Sequence, residues 1–191
     1  YLIDTNKVKY TSDMSSNLLF FIGSHYLMAK QYGLMKNYYI LAIQQNNSNA
    51  MYFLGVHYHH VEKNSELMKL YHTMAIQENN SHAMFDLGYY YGKKQMYDLM
   101  KHYYMMAIQR NNNLAMNYLG KYYYLVEKDY DQMKKYYNMA IVCGNIDAIN
   151  NLGCYYETVE KKYDLAKSHY LMAIERNSCM AMNNLAHYYK K

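Results

Sequence analysis

The chain has 191 residues, of which 52% are hydrophobic, and its formal net charge is +5. This hydrophobic share can build a core, which excludes a disordered chain, and the best apolar stretch, 18–22, is far too short to cross a bilayer, so we expect no membrane partner. The lysines are spread along the chain and only Arg110 and Arg176 are arginines, so the charge does not favour a nucleic-acid partner.

Residues 1–16 fit no repeated pattern, and we interpret them as an N-terminal tail or linker, with a repeat domain over 17–191. In the repeat domain a small residue returns every 32 or 33 residues, preceded by Ile or Leu and followed three positions later by tyrosine. The small residues are Gly23, Gly55, Gly88, Gly120, Gly153 and Ala186, and the tyrosines are Tyr26, Tyr58, Tyr91, Tyr123, Tyr156 and Tyr189. The apolar residues around them follow i, i+3, i+4, i+7 spacing, which predicts an α-helix.

A second helical block follows each of the first five, marked by an Ala-Ile pair. The alanines are Ala42, Ala75, Ala107, Ala140 and Ala173. Each repeat is therefore predicted to be two helices, with the small residue and the alanine letting the helices approach closely. We expect an all-α fold, a right-handed α–α superhelix or solenoid of about five helix-turn-helix repeats plus a terminal helix.

The junctions between repeats carry the residues that end and begin helices. Three residues after each Ala-Ile isoleucine stands a residue that tolerates the left-handed conformation of a helix C-terminus: Asn46, Asn79, Asn111, Gly144 and Asn177. The next position can accept hydrogen bonds from the amides opening the following helix: Asn47, Asn80, Asn112, Asn145 and Ser178. Negative charges suit the start of the second helix: Glu66, Asp98, Asp131 and Asp164.

The combined pattern is Ala-x-x-x-Leu-Gly-x-x-Tyr, then Asp with a Tyr-x-x-Ala further on, and residues 136–156 show it best. This pattern resembles the Sel1-like repeat (SLR), a relative of the tetratricopeptide repeat (TPR). The usual Gly-x-Gly loop is absent and the period is a few residues shorter than in that family. The resemblance implies a protein-interaction scaffold or adaptor that binds a protein or peptide in a concave groove, lined mainly by the first helix of each pair.

The resemblance implies that four positions of each first helix line this groove. They are the position three residues before the small residue and the positions one, four and five residues after it. We take as candidate partner-binding residues Phe20, Tyr52, Phe85, Tyr89, Asn117, Lys121, Asn150 and Asn183. The aromatic members would hold side chains of an extended peptide, and the asparagines would form an amide ladder on its backbone. The alternative is that these are only solvent-tolerant positions in an asparagine-rich protein.

Two other functions stay open at this point. The tyrosine column beginning at Tyr26 is the kind of aromatic series on which single-stranded nucleic acid stacks, although packing between helices is the favoured interpretation. The domain can also be the substrate-receptor arm of a larger multi-domain protein. The ends of a repeat array, in addition, offer surfaces for self-association.

No pattern points to catalysis: there is no GxSxG, no HExxH and no phosphate-binding glycine run, so we expect neither an enzyme nor a cofactor. His57 and His60 can share one helix face, but the cluster with His59 occurs in only one repeat, so we expect a surface histidine group and no metal site. The three cysteines are odd in number and form no CxxC pair, which favours a reducing, intracellular, cytoplasmic setting.

Overall fold

The computed structural model describes residues 14–190. The tail predicted over 1–16 lies outside these residues apart from its last three, where Ser15 caps the first helix by accepting a hydrogen bond from the Leu18 amide. The helices are α1 Ser16–Met28, α2 Tyr32–Ile43, α3 Ser48–His60, α4 Ser65–Gln77, α5 Ser81–Lys93, α6 Tyr97–Ile108, α7 Asn113–Tyr122, α8 Tyr130–Val142, α9 Ile146–Thr158, α10 Tyr163–Glu175 and α11 Cys179–Tyr188. A π-helical turn, Tyr123–Glu127, continues α7.

Over residues 14–190 the chain is all-α, with five helix pairs followed by α11, and the helical-repeat fold expected from the sequence is confirmed. None of these helices is long and apolar enough to cross a bilayer. The chain divides within α5 into two compact units, residues 1–83 and residues 84–191, called the N-terminal and C-terminal units below.

Both predicted capping columns are confirmed. The residues expected to end helices all have positive φ, between +57° and +83°: Asn46, Asn79, Asn111, Gly144 and Asn177. Each following side chain accepts a hydrogen bond from the amide three residues on, at 2.9 to 3.3 Å, as between Asn112 and Ala115. Two adjacent residues therefore end one helix and begin the next, which fixes the chain reversal between repeats.

Each glycine of the column lies against a ring from the second helix of the same repeat. A Cβ on Gly120 would lie 2.7 Å from Tyr137 Cδ1, and one on Gly88 would lie 2.5 Å from Tyr104 Cδ1. The same ring position is filled in every pair: Tyr39, His72, Tyr104, Tyr137 and Tyr170. Because these rings occupy the space of the missing side chain, the predicted close-packing role of the glycine is confirmed.

The tyrosine column also packs within each repeat. Four of its members stack on a second-helix tyrosine with ring centroids 5.4 to 5.6 Å apart: Tyr26 on Tyr38, Tyr58 on Tyr71, Tyr91 on Tyr103 and Tyr123 on Tyr136. In the fifth pair Tyr156 meets His169 at 5.1 Å. One face of each ring is thus occupied by its own repeat, which supports the interpretation of this column as helix packing.

Candidate functional site

The aromatic candidates Phe20, Tyr52 and Phe85 are half-buried rather than fully open to a partner. Each stacks on the ring that lies under the glycine of its own repeat: Phe20 on Tyr39 at 5.8 Å, Tyr52 on His72 at 5.5 Å and Phe85 on Tyr104 at 5.8 Å. These side chains therefore contribute to the helix pair itself, and only part of each ring is available for binding.

The asparagine candidates are placed differently from one another. Asn117 and Asn150 are each only 4% exposed. The Asn151 side chain donates to Asn117 Oδ1 at 3.0 Å, and the Asn184 side chain donates to Asn150 Oδ1 at 2.8 Å. Asn183 is exposed on α11. The amide ladder thus links the first helices of successive repeats, while its use by a peptide stays a prediction.

The change from aromatic to amide residues along the first helices is therefore a change in how neighbouring repeats contact each other. The contact joins the position three before the small residue of one repeat to the position two before the small residue of the next. Early in each unit both positions hold aromatic rings, namely Phe20 with Phe53 at 5.6 Å and Phe85 with Tyr118 at 5.2 Å. Later in the C-terminal unit both positions hold asparagines that are hydrogen-bonded to each other. Ring edges attract partners through apolar area, whereas paired amides have largely satisfied their hydrogen bonds.

A cleft of about 230 Å³ opens in the C-terminal unit between α5, α6, α7 and the π-helical turn, and we call it the α5–α7 cleft. Two candidates from the sequence, Tyr89 and Lys121, line it. Its lining also includes Tyr118, Lys93 and the buried Tyr104, none of which was named from the sequence. Tyr89, at 39% exposed, contacts both Phe85 and Tyr118, with centroids 6.3 and 5.6 Å apart. The structure thus brings Phe85, Tyr89 and Lys121 into one region.

Two local features shape the α5–α7 cleft. Gly92 lets Met100 pack closely against α5, since an added Cβ would lie 3.1 Å from the Met100 sulfur. The π-helical turn after α7 places Leu125 and Val126, 50% and 47% exposed, in the lining. In the repeats that begin with α3 and α9, the same number of residues separates the small residue from the start of the second helix, but α3 and α9 end without such a turn. π-helical turns are rare in proteins, and those that exist are often found at functional sites. The turn therefore distinguishes the repeat of α7 from those of α3 and α9.

The α5–α7 cleft is apolar with a positive rim. The Lys93 ammonium lies 5.3 Å from the centroid of the Tyr89 ring, a cation–π distance. Burial raises the pKa of Tyr104 and, with smaller effects of neighbouring charges, that of Tyr118, so both phenols are neutral donors near pH 7. Within residues 14–190, neither Lys93 nor Lys121 forms a salt bridge. The two ammonium groups are therefore available to a bound anion.

A recurrent carboxylate contact, which the sequence analysis missed, joins successive repeats. Glu127 accepts hydrogen bonds from the Tyr122 hydroxyl at 2.6 Å and the Lys101 ammonium at 3.2 Å. Equivalent contacts are made by Glu160, with Tyr155 and Lys134, and by Glu62, with His57 and Lys36. The sequence signal is the tripeptide Val-Glu-Lys at 61–63, 126–128 and 159–161, in which the lysine has a φ of 55° or 56°.

Glu127→Gln is expected to lower the free energy of unfolding by about 0.5 to 1 kcal/mol, because the side chain is 35% exposed and partly screened. The Tyr122 hydroxyl and, less strongly, Lys101 hold the pKa of Glu127 below its usual range. The contribution of Glu127 to stability is therefore complete above the pKa that it has in the unfolded chain. It is lost as the pH falls through the lower pKa that it has in the folded chain. Urea unfolding at pH 7 measures the loss. Glu175→Gln is the matched control, because Glu175 is exposed at the end of α10 and forms no salt bridge within residues 14–190, so its change should not lower stability.

The histidine cluster differs from the sequence expectation of a surface group. His57 is 3% exposed and its Nε2 lies 3.0 Å from Glu62 Oε1, so it is an internal partner of that carboxylate. His59 is half-buried and His60 is exposed. In the described part of the chain no three potential metal-ligating side chains come together.

No protein-family model and no curated protein matches this sequence. Solved structures do: a Sel1 repeat protein from Oxalobacter formigenes has a TM-score of 0.80 and 22% identity, covering 96% of this chain and 82% of that one. An immunity protein from Pseudomonas aeruginosa gives 0.65 and 19%, covering 91% and 69%. The C-terminal part of a TPR repeat-containing protein from Cytophaga hutchinsonii gives 0.60 and 16%, covering 94% and 76%. The chain thus has the fold of the Sel1-like, TPR-like helical-repeat proteins.

Proposed function

We propose that this protein is a non-catalytic interaction scaffold or adaptor that binds a segment of a protein partner in the α5–α7 cleft. The observation that carries the proposal is the cleft itself, with Tyr89, Tyr118 and Leu125 in its lining beside two lysines that form no salt bridge within residues 14–190. Exposed aromatic rings at the centre of a pocket are the residues that most often dominate protein–protein binding energy.

The size of the α5–α7 cleft supports a protein partner over a small molecule. Its volume of about 230 Å³ is below the range of about 300 to 1,000 Å³ typical of ligand and cofactor pockets. One large apolar side chain fits such a space, and the rest of the partner would lie along the neighbouring surface. The candidates Asn117 and Asn150 would then act indirectly, by holding first helices together, and Asn183 would contact only a partner that reaches α11.

Tyr89→Ser is expected to abolish this binding. Peptides selected on the full chain from a random display library should lose at least about tenfold in affinity, since about 1.4 kcal/mol corresponds to tenfold and a buried aromatic anchor contributes more than that. Tyr163→Ser is the matched control, because Tyr163 is 50% exposed on α10 and does not line the cleft. Fluorescence anisotropy measures both. Peptides that bind the Tyr89→Ser protein as well as the wild type would refute the proposal.

A further inference from the structure

We infer that the α5–α7 cleft selects an acidic protein segment, in which Asp or Glu residues lie next to one large apolar side chain. This inference rests on the proposed function and adds the chemistry of the partner to it. The juxtaposition that carries it is an aromatic cleft with ammonium groups on two different helices, Lys93 on α5 and Lys121 on α7.

The apolar part of the recognition follows from the lining. Tyr89 and Tyr118 contact each other edge to face, with ring planes 83° apart, and both line the cleft, so an inserted side chain meets aromatic surface from two helices. The buried Met100 and the exposed Leu125 add aliphatic surface. Aromatic and branched aliphatic side chains both suit such surroundings, because burying either one removes apolar surface from water.

The acidic part follows from the charges. The lining contains two lysines and no carboxylate. Glu127, which lies beside the lining residue Tyr122, is already hydrogen-bonded to Tyr122 and Lys101. Asp86 and Asp147 raise the pKa values of Tyr104 and Tyr118 by their charge but do not line the cleft. A basic segment would therefore meet two like charges, whereas an acidic one would pair with both.

Single-stranded nucleic acid is also anionic and aromatic, but the site suits it less well. A strand needs a basic groove that follows its backbone together with a series of stacking surfaces. The α5–α7 cleft is a single opening with two lysines and no arginine in its lining. The next tyrosine of the repeated column, Tyr123, has one ring face occupied by Tyr136 and does not offer that face to a base. An acidic peptide is therefore the better match.

Synthetic peptides test this on the full chain. One peptide carries a central phenylalanine between two acidic residues on each side, a second has lysines in place of the acidic residues, and a third has alanine in place of phenylalanine. The acidic phenylalanine peptide should bind at least about tenfold more tightly than either of the others, and its affinity should fall as salt rises. Lys93→Gln/Lys121→Gln should remove the preference over the basic peptide.

The control Lys30→Gln/Lys135→Gln changes two exposed lysines outside the cleft and should keep the preference. Equal binding of the acidic and basic peptides, with both lost in Tyr89→Ser, would overturn this inference and leave the proposed function standing. Binding of the phenylalanine peptides that does not depend on Tyr89 would overturn both. An oligothymidylate that binds the cleft more tightly than the acidic peptide would overturn the inference in favour of nucleic acid.

Discussion

Gly120→Leu is expected to lower the free energy of unfolding by about 2 to 4 kcal/mol, which is large for a single substitution. The first added carbon would lie 2.7 Å from Tyr137 Cδ1. The Tyr137 ring is only 1% exposed, so it has no open space into which to turn. The helices α7 and α8 must therefore separate, which breaks the packing of the whole repeat. Urea unfolding followed by circular dichroism measures the change.

Gly33→Leu is the matched control, because nothing lies within 4 Å of a Cβ at Gly33 and the residue is in the first turn of α2. It should leave stability unchanged or raise it slightly, since glycine is a poor helix former. Adding Tyr137→Ala to Gly120→Leu should restore part of the lost stability, because the leucine then fills the space of the ring. Equal stabilities for Gly120→Leu and the wild type would contradict the close-packing role.

The helix ends and the close contacts could be predicted from the sequence because they depend on local chemistry. An asparagine that tolerates positive φ, followed by one that caps the next helix, is meaningful at any position, and Asn111 and Asn112 both behave as expected. The glycine column could be recognised equally well, since a glycine recurs once in each of the first five repeats. The glycines did not indicate which ring of the second helix packs against each of them, for example His72 against Gly55.

The proposed binding surface was harder to predict because it depends on side chains from three helices. Counting positions from the glycine found Tyr89 and Lys121, and the positions four and five after it include Gly92, Lys93 and Leu125. The same count placed Asn117 on an open groove, although it is buried against the next repeat. The π-helical turn changes the direction of the side chains after Tyr122, and no local pattern in the sequence indicated it.

His72 is expected to make the N-terminal unit less stable as the pH falls, and His72→Tyr should remove most of that dependence. Burial, reinforced by the charges of His59 and His60, lowers the pKa of His72 from 6.5 to about 4. Between pH 6.5 and pH 4, His72 is therefore protonated in the unfolded chain but neutral in the folded chain. The free energy of unfolding is highest above pH 6.5 and decreases as the pH falls from 6.5 to 4. The loss at pH 4 is about 3 kcal/mol.

Tyrosine fits this position because the four equivalent residues are tyrosines packed under glycine: Tyr39, Tyr104, Tyr137 and Tyr170. Urea unfolding at pH 7 and pH 4 gives the difference in stability for each protein, and other acid-sensitive groups such as Glu62 contribute equally to both. His102→Gln, at an exposed histidine, is the control and should keep the wild-type difference. If His72→Tyr loses as much stability at pH 4 as the wild type, proton uptake at His72 does not cause the acid sensitivity.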